Sequence, residues 1–182
     1  MMQIWHVSTP ALVIINTLAW LVIHLGIAYV AAKIPFRFVK PEWLLFRSSF
    51  IEHEGRIYDT LFRVSSWKGL LPDGAAWFFG GFAKKKLQAT QLEYLRQFIR
   101  ETCKGELAHW LVLWVAPVFF LWNPAWAGWI NVAYAVAANA PCIIVQRYNR
   151  PVLQRILVHK LSRKSRNQST PQDHLPIPVS SI

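Results

Sequence analysis

Two long blocks of this chain, residues 1–32 and 107–145, contain no Lys, Arg, Asp or Glu. A membrane-crossing helix needs about 20 mostly apolar residues. Three stretches meet that need: about 9–32, 107–122 and 127–145. The first is interrupted by Asn16, Thr17 and His24. The second is short, so it must tilt or locally thin a bilayer, and Pro117 gives it a place to kink. Asn123-Pro124-Ala125-Trp126 makes a tight, uncharged turn before the third stretch, which carries Asn131 and Asn139.

The intervening pattern predicts helices at the membrane surface. Pro35 ends the first helix because it offers no amide donor. Pro41–Arg47 reads as a short interfacial helix with Trp43 and Phe46 at head-group level. Ile57, Tyr58, Leu61 and Phe62 follow helical spacing. Trp67-Lys68-Gly69 and Pro72-Asp73-Gly74 form a turn signature. Ala75–Phe82 is apolar and Gly-rich, too short to span, and suited to dipping into a membrane surface. Lys84–Lys86 follow it as a solvated or lipid-binding basic run. Thr90-Gln91-Leu92-Glu93 is a capping-box pattern, and the helix it opens runs without a stop toward the second span. The tail after the third span alternates Arg155, Lys160, Arg163, Lys164 and Arg166 with apolar residues, as a basic surface helix does. The expected fold class is therefore an all-α integral membrane protein, with about three transmembrane helices and interfacial amphipathic helices on the cytoplasmic side. Residues 1–166 form the membrane-embedded domain, and residues 167–182 form a polar, Pro-rich disordered tail.

Charge fixes the expected orientation. The chain has 182 residues, a net charge of +11 and ten tryptophans, and 54% of it is hydrophobic. All 20 basic residues lie in 33–106 or 146–182. The positive-inside rule places those blocks in the cytoplasm and the N-terminus outside, at the cell membrane. The first segment has no Lys or Arg ahead of it, so it reads as an uncleaved helix rather than a signal peptide. The two cysteines, Cys103 and Cys142, fall in different compartments and are not expected to pair. The basic residues flank membrane helices, which argues against nucleic-acid binding.

Two clusters carry candidate chemistry. Glu106 and His109 are three apart on one helix face where the second span enters the membrane. They form either a base and its orienting carboxylate, aimed at the hydroxyl of a lipid-embedded acceptor, or an interfacial belt with Trp110. Gln146-Arg147-Tyr148-Asn149-Arg150-Pro151 closes the third span. Its arginines suit a phosphate or carboxylate and its amides suit sugar hydroxyls. The alternative is a snorkelling basic anchor with a proline stop. Asn139 is either structural glue or functional. Asp73 reads as a turn residue or a sugar contact. Ligand spacing for a metal site is absent.

The chain resembles the glycosyl-4,4'-diaponeurosporenoate acyltransferase family of staphyloxanthin-type carotenoid synthesis. The similarity runs over about residues 23–157. Its elements are Lys33-Ile34-Pro35, Trp67-Lys68 with Asp73-Gly74, Glu101-Thr102 and Glu106-Leu107-x-His109-Trp110. The longest is Ile130-Asn131, Tyr134-Ala135 and Ala138-Asn139-x-Pro141, running into Ile143–Pro151. The resemblance implies a membrane acyltransferase that esterifies the glucose 6-hydroxyl of a glycosylated C30 carotenoid acid with a fatty acyl group. Its partners are the bilayer and a lipophilic glycosyl-carotenoid or glycolipid. No cofactor is bound, and the donor is a fatty acyl thioester of coenzyme A or acyl carrier protein. On this reading His109 is the general base and Glu106 orients it. Arg147 and Arg150 bind an anionic part of donor or acceptor. Gln146, Asn149, Asn139, Asp73 and Lys68 contact the acceptor, while Trp67, Trp110 and Tyr148 line the lipid pocket. Acylation of another glycolipid and a non-catalytic membrane scaffold are the competing readings.

Overall fold

The structure, a computed structural model, describes residues 8–49, 52, 55–71 and 91–169. Asp73, Ala75–Phe82, Lys84–Lys86 and the tail beyond residue 169 lie outside the described residues. Among the described residues the chain is helical, with no strand. Five α-helices follow in order: α1 (Thr9–Lys33), α2 (Arg56–Phe62), α3 (Val64–Trp67), α4 (Leu92–Val115) and α5 (Ala125–Ser169). Among the described residues, three helical stretches are long and apolar enough to cross a membrane: Thr9–Lys33, Leu92–Leu121 and Ala125–Asn167.

α1 begins with a proline in its first turn, ends just before Pro35 and carries Lys33 in its last turn. Val13, Ile14, Leu18, Leu21, Val22 and Val30 are all exposed on it. A helix apolar all round suits lipid rather than water. α4 extends the second expected span backward, from Leu107 to Leu92, as the absence of a stop signal implied. Its far end tightens into a 3-10 turn over Ala116–Leu121. Pro117 lies in the first turn of that stretch, where a missing amide is tolerated.

The competing reading of Pro151 as a stop and the reading of Pro41–Arg47 as a helix both require correction. α5 does not stop at Pro151. It runs 45 residues, with both Pro141 and Pro151 inside it. At about 1.5 Å per residue that is roughly 67 Å, so the third span and the basic tail helix are one rod. Neighbouring chain lies close against the turn at Pro151: a Cβ placed on Gly55 would meet Pro151 Cγ at 3.5 Å and the Arg147 and Tyr148 carbonyl oxygens at 3.6 and 3.3 Å. Gly55 has φ 89°, a conformation open to glycine and costly to other residues. The second correction concerns Pro41–Arg47, which forms successive turns rather than a helix. The carbonyls of Leu45 and Phe46 accept hydrogen bonds from arginines of α5 instead.

α4 and α5 pair antiparallel across a short connection, and α1 packs on α4. Trp20 of α1 stacks on Phe119 with ring centroids 4.4 Å apart. Its indole N–H donates to Asn131 Oδ1 at 2.7 Å. Val112, Ala116 and Ala135 complete that core. At the turn, Asn16 accepts from Trp122 Nε1 at 2.8 Å and exchanges hydrogen bonds with Asn123 at 2.8 and 3.0 Å. Asn16 and Asn131 thus tie α1 to the α4–α5 hairpin in surroundings where an unpaired polar group is costly. At the opposite end Leu95, Phe98, Ile99 and Leu153 hold α4 to α5, and Val39, Phe46 and Cys103 seat the 36–49 segment on α4.

Candidate functional site

The site is built where the 36–49 segment crosses the α4–α5 seam. Thr102 and Glu106 are four apart on α4 and share one face. Both are 0% exposed. Arg147 and Arg150, three apart on α5, reach toward them. Arg147 Nε donates to Glu106 Oε1 at 2.8 Å, and its terminal nitrogens reach Glu52 Oε1 and, at 2.6 Å, the Leu45 carbonyl. Arg150 Nε donates to Thr102 Oγ1 at 3.1 Å and one terminal nitrogen to the Phe46 carbonyl at 2.6 Å. The other terminal nitrogen holds Glu106 Oε2. The Arg150 guanidinium lies over the Phe46 ring, 5.4 Å from its centroid.

Each Glu106 oxygen is therefore claimed by an arginine, and Trp110 Nε1 adds a longer contact to Oε1 at 3.3 Å. Arg150 is only 2% exposed, with all three guanidinium nitrogens engaged. The anion these arginines hold is the protein's own. Burying a guanidinium is costly without a matched carboxylate, and Glu106 and Glu52 supply it.

His109 has a partner across the helices. His109 Nδ1 lies 2.8 Å from Asn139 Oδ1. Asn139 is 1% exposed, and its amide nitrogen donates to the Ala135 carbonyl at 2.8 Å. That bond orients the amide and presents its oxygen to His109. With that oxygen as its partner, Nδ1 is the ring's donor in this pair.

The remaining expected residues lie around α5. Lys68, in a 3-10 turn after α3 (Lys68–Leu70), donates to Asn149 Oδ1 at 3.1 Å and sits 4.7 Å from the centroid of the Tyr148 ring. Burial pulls the Lys68 pKa below the usual lysine value, and the charge of Asp59 partly offsets this. Trp67 turns back to donate to the Phe62 carbonyl at 2.6 Å, away from the α4–α5 seam contacts. The Gln146 Oε1 atom is buried and has no hydrogen-bond partner among the described residues. Tyr58, on α2, hydrogen-bonds Glu52 beside Arg147; burial first, then Glu52, push its pKa up to about 12.

Sequence reasoning missed Glu52 and the Leu45 and Phe46 carbonyls. Thr102 was in view only as part of a Glu-Thr pair, although its four-residue spacing to Glu106 marks a shared face. Among the described residues no group of His, Cys, Asp or Glu is placed to hold a metal ion, and both cysteines are free thiols.

The family model for glycosyl-4,4'-diaponeurosporenoate acyltransferase matches residues 41–159, which hold every described site residue. Proteins of that name from Staphylococcus aureus strains USA300, MRSA252 and bovine RF122 are each 33% identical over 138 residues, covering 76% of this chain and 83% of theirs. No solved structure matches. The chain is an acyltransferase and belongs to the glycosyl-4,4'-diaponeurosporenoate acyltransferase family.

Proposed function

We propose that this acyltransferase moves a fatty acyl group from a thioester donor to the glucose 6-hydroxyl of a glycosylated C30 carotenoid acid. The ester is the last product of a staphyloxanthin-like synthesis. The reaction takes place at the cytoplasmic face of the cell membrane, with the N-terminus outside and the basic segments inside. The lipophilic acceptor reaches the site from the bilayer, no bound cofactor takes part, and other enzymes of the carotenoid pathway are the natural partners.

The observation that carries this reading is the His109–Asn139 pair in the apolar α4–α5 seam. Asn139 holds the ring so that Nε2 takes the proton of the sugar hydroxyl as its oxygen attacks the thioester carbonyl. The tetrahedral intermediate collapses, the carbon–sulfur bond breaks, and the imidazolium returns the proton to the departing thiolate. Gln146 Oε1, buried and awaiting a donor, accepts from a sugar hydroxyl. Asn149, Lys68, Tyr148 and Trp110 surround the sugar and the start of its lipid chain. Glu106 acts through the arginines: it locks Arg147 and Arg150 and thereby the 36–49 segment over the site.

Mass spectrometry of lipids and pigments from cells with and without the gene tests this assignment. An acylated glycosyl-carotenoid should vanish on deletion while its unacylated precursor accumulates. Loss of a different acylated glycolipid, with the pigment unchanged, would replace the acceptor.

A further inference from the structure

Arg147 and Arg150 are spoken for by Glu52 and Glu106, yet a thioester donor of the coenzyme A type brings phosphates that need cations. A second group of basic side chains meets that need. A cavity of about 640 Å³ lies between the 36–42 segment, the first half of α4 and the Gln154–Leu157 region of α5. Arg37, Lys40, Arg96 and Arg100 line it, against a single carboxylate, Glu42. Arg96 pairs with Glu93 at 2.6 Å. Among the described residues Arg37, Lys40 and Arg100 take part in no ion pair.

Two of the cations stack on aromatic rings. The Arg37 guanidinium lies 4.7 Å from the centroid of the Phe38 ring, and that of Arg100 lies 5.7 Å from the centroid of Phe36. Stacking on a ring costs little of the guanidinium's capacity to bind phosphate through two N–H groups. Phe36, Val39 and Ile99 give the cavity an apolar wall, suited to a base or a pantetheine arm. Arg100 precedes His109 by nine residues on α4, about 13 Å along the helix. Coenzyme A thioesters carry their phosphates and their acyl group at opposite ends of a flexible arm, which matches a phosphate cavity set apart from the base.

We infer that this cavity binds the phosphate groups of the acyl donor. The inference rests on the proposed thioester donor, and it moves the anion-binding role from Arg147 and Arg150 to Arg37, Lys40 and Arg100. An anionic phospholipid head group offers related chemistry, so the test must separate the two sources.

Full-length protein in nanodiscs of neutral phosphatidylcholine is titrated calorimetrically with coenzyme A and with dephospho-coenzyme A. Binding of vesicles containing phosphatidylglycerol is measured in parallel. Wild type should bind coenzyme A more tightly than the dephospho form. The double variant Arg37→Ala/Lys40→Ala should lose at least tenfold in coenzyme A affinity, whereas Lys160→Ala/Lys164→Ala, which removes the same charge elsewhere, should not. If the first double variant fails to assemble, Arg100→Gln replaces it and should weaken coenzyme A several-fold. Unchanged coenzyme A affinity in these variants overturns the inference. So does a wild type that ignores coenzyme A but loses phosphatidylglycerol binding through the same substitutions. The acceptor assignment fails separately: if the variants lose coenzyme A binding but no carotenoid ester forms in any version, the cavity stands and the acceptor falls.

Discussion

Asn139 Oδ1 lies 2.8 Å from His109 Nδ1, across the seam between α4 and α5. The amide nitrogen of Asn139 is tied to the Ala135 carbonyl, so the oxygen cannot turn away without losing a second bond. In the proposed mechanism Asn139 is therefore a positioning residue for His109. Replacing it with Ala should lower kcat about 10- to 100-fold through a mis-set base and leave KM nearly unchanged. Asn139→Asp keeps an acceptor oxygen and should recover part of that loss. Steady-state kinetics on both variants measures the split; a rise in KM with kcat intact would move Asn139 into substrate binding.

Glu106 is 0% exposed and balances two arginines, one of them 2% exposed. Glu106→Ala should destabilise the protein by about 3–5 kcal/mol, since it leaves a buried guanidinium without its counter-charge. Replacing Glu106 by Gln and Arg150 by Met together should cost less than the sum of the two single changes, because the pair is coupled. Thermal unfolding in detergent gives all three values, and strict additivity would contradict the network.

Tyr58 is expected to keep its proton far into the alkaline range, its pKa rising from 10.0 to about 12 through burial and the neighbouring Glu52. A raised folded-state pKa means that the fold favours the neutral phenol. The stabilisation is present in full below pH 10 and is lost as pH rises toward about 12. Tyr58→Phe should remove that part of the alkaline stability loss. Unfolding midpoints of the two proteins across this window check it; parallel curves would refute it.

Much of the fold could be read from the chain. Two charge-free blocks located the spans, and the lack of a stop before Leu107 foretold that α4 runs unbroken from the charged block. Pro151 misled because local rules see only the amide it lacks. The chain packed against that turn, at Gly55, comes from about a hundred residues earlier. Pro41–Arg47 misled in a similar way: its amphipathic pattern is real, but arginines on α5 take the Leu45 and Phe46 carbonyls. At the site, Glu106, His109, Asn139 and the Gln146–Arg150 run were all visible as residue types. Their partners were not, since helical spacing reports neighbours on one helix and is silent on which faces meet. The spacing suggested Glu106 for His109; helix pairing delivers Asn139 to the ring and both arginines to the carboxylate.

Ester formation by His109→Ala tests the central claim most directly. The variant is to be checked for membrane insertion and an unfolding midpoint near that of wild type, then assayed with acyl thioester and glycosyl-carotenoid. Loss of the general base should lower the rate at least about 100-fold while both substrates still bind. Turnover at the wild-type rate would contradict the assignment of His109 as the base.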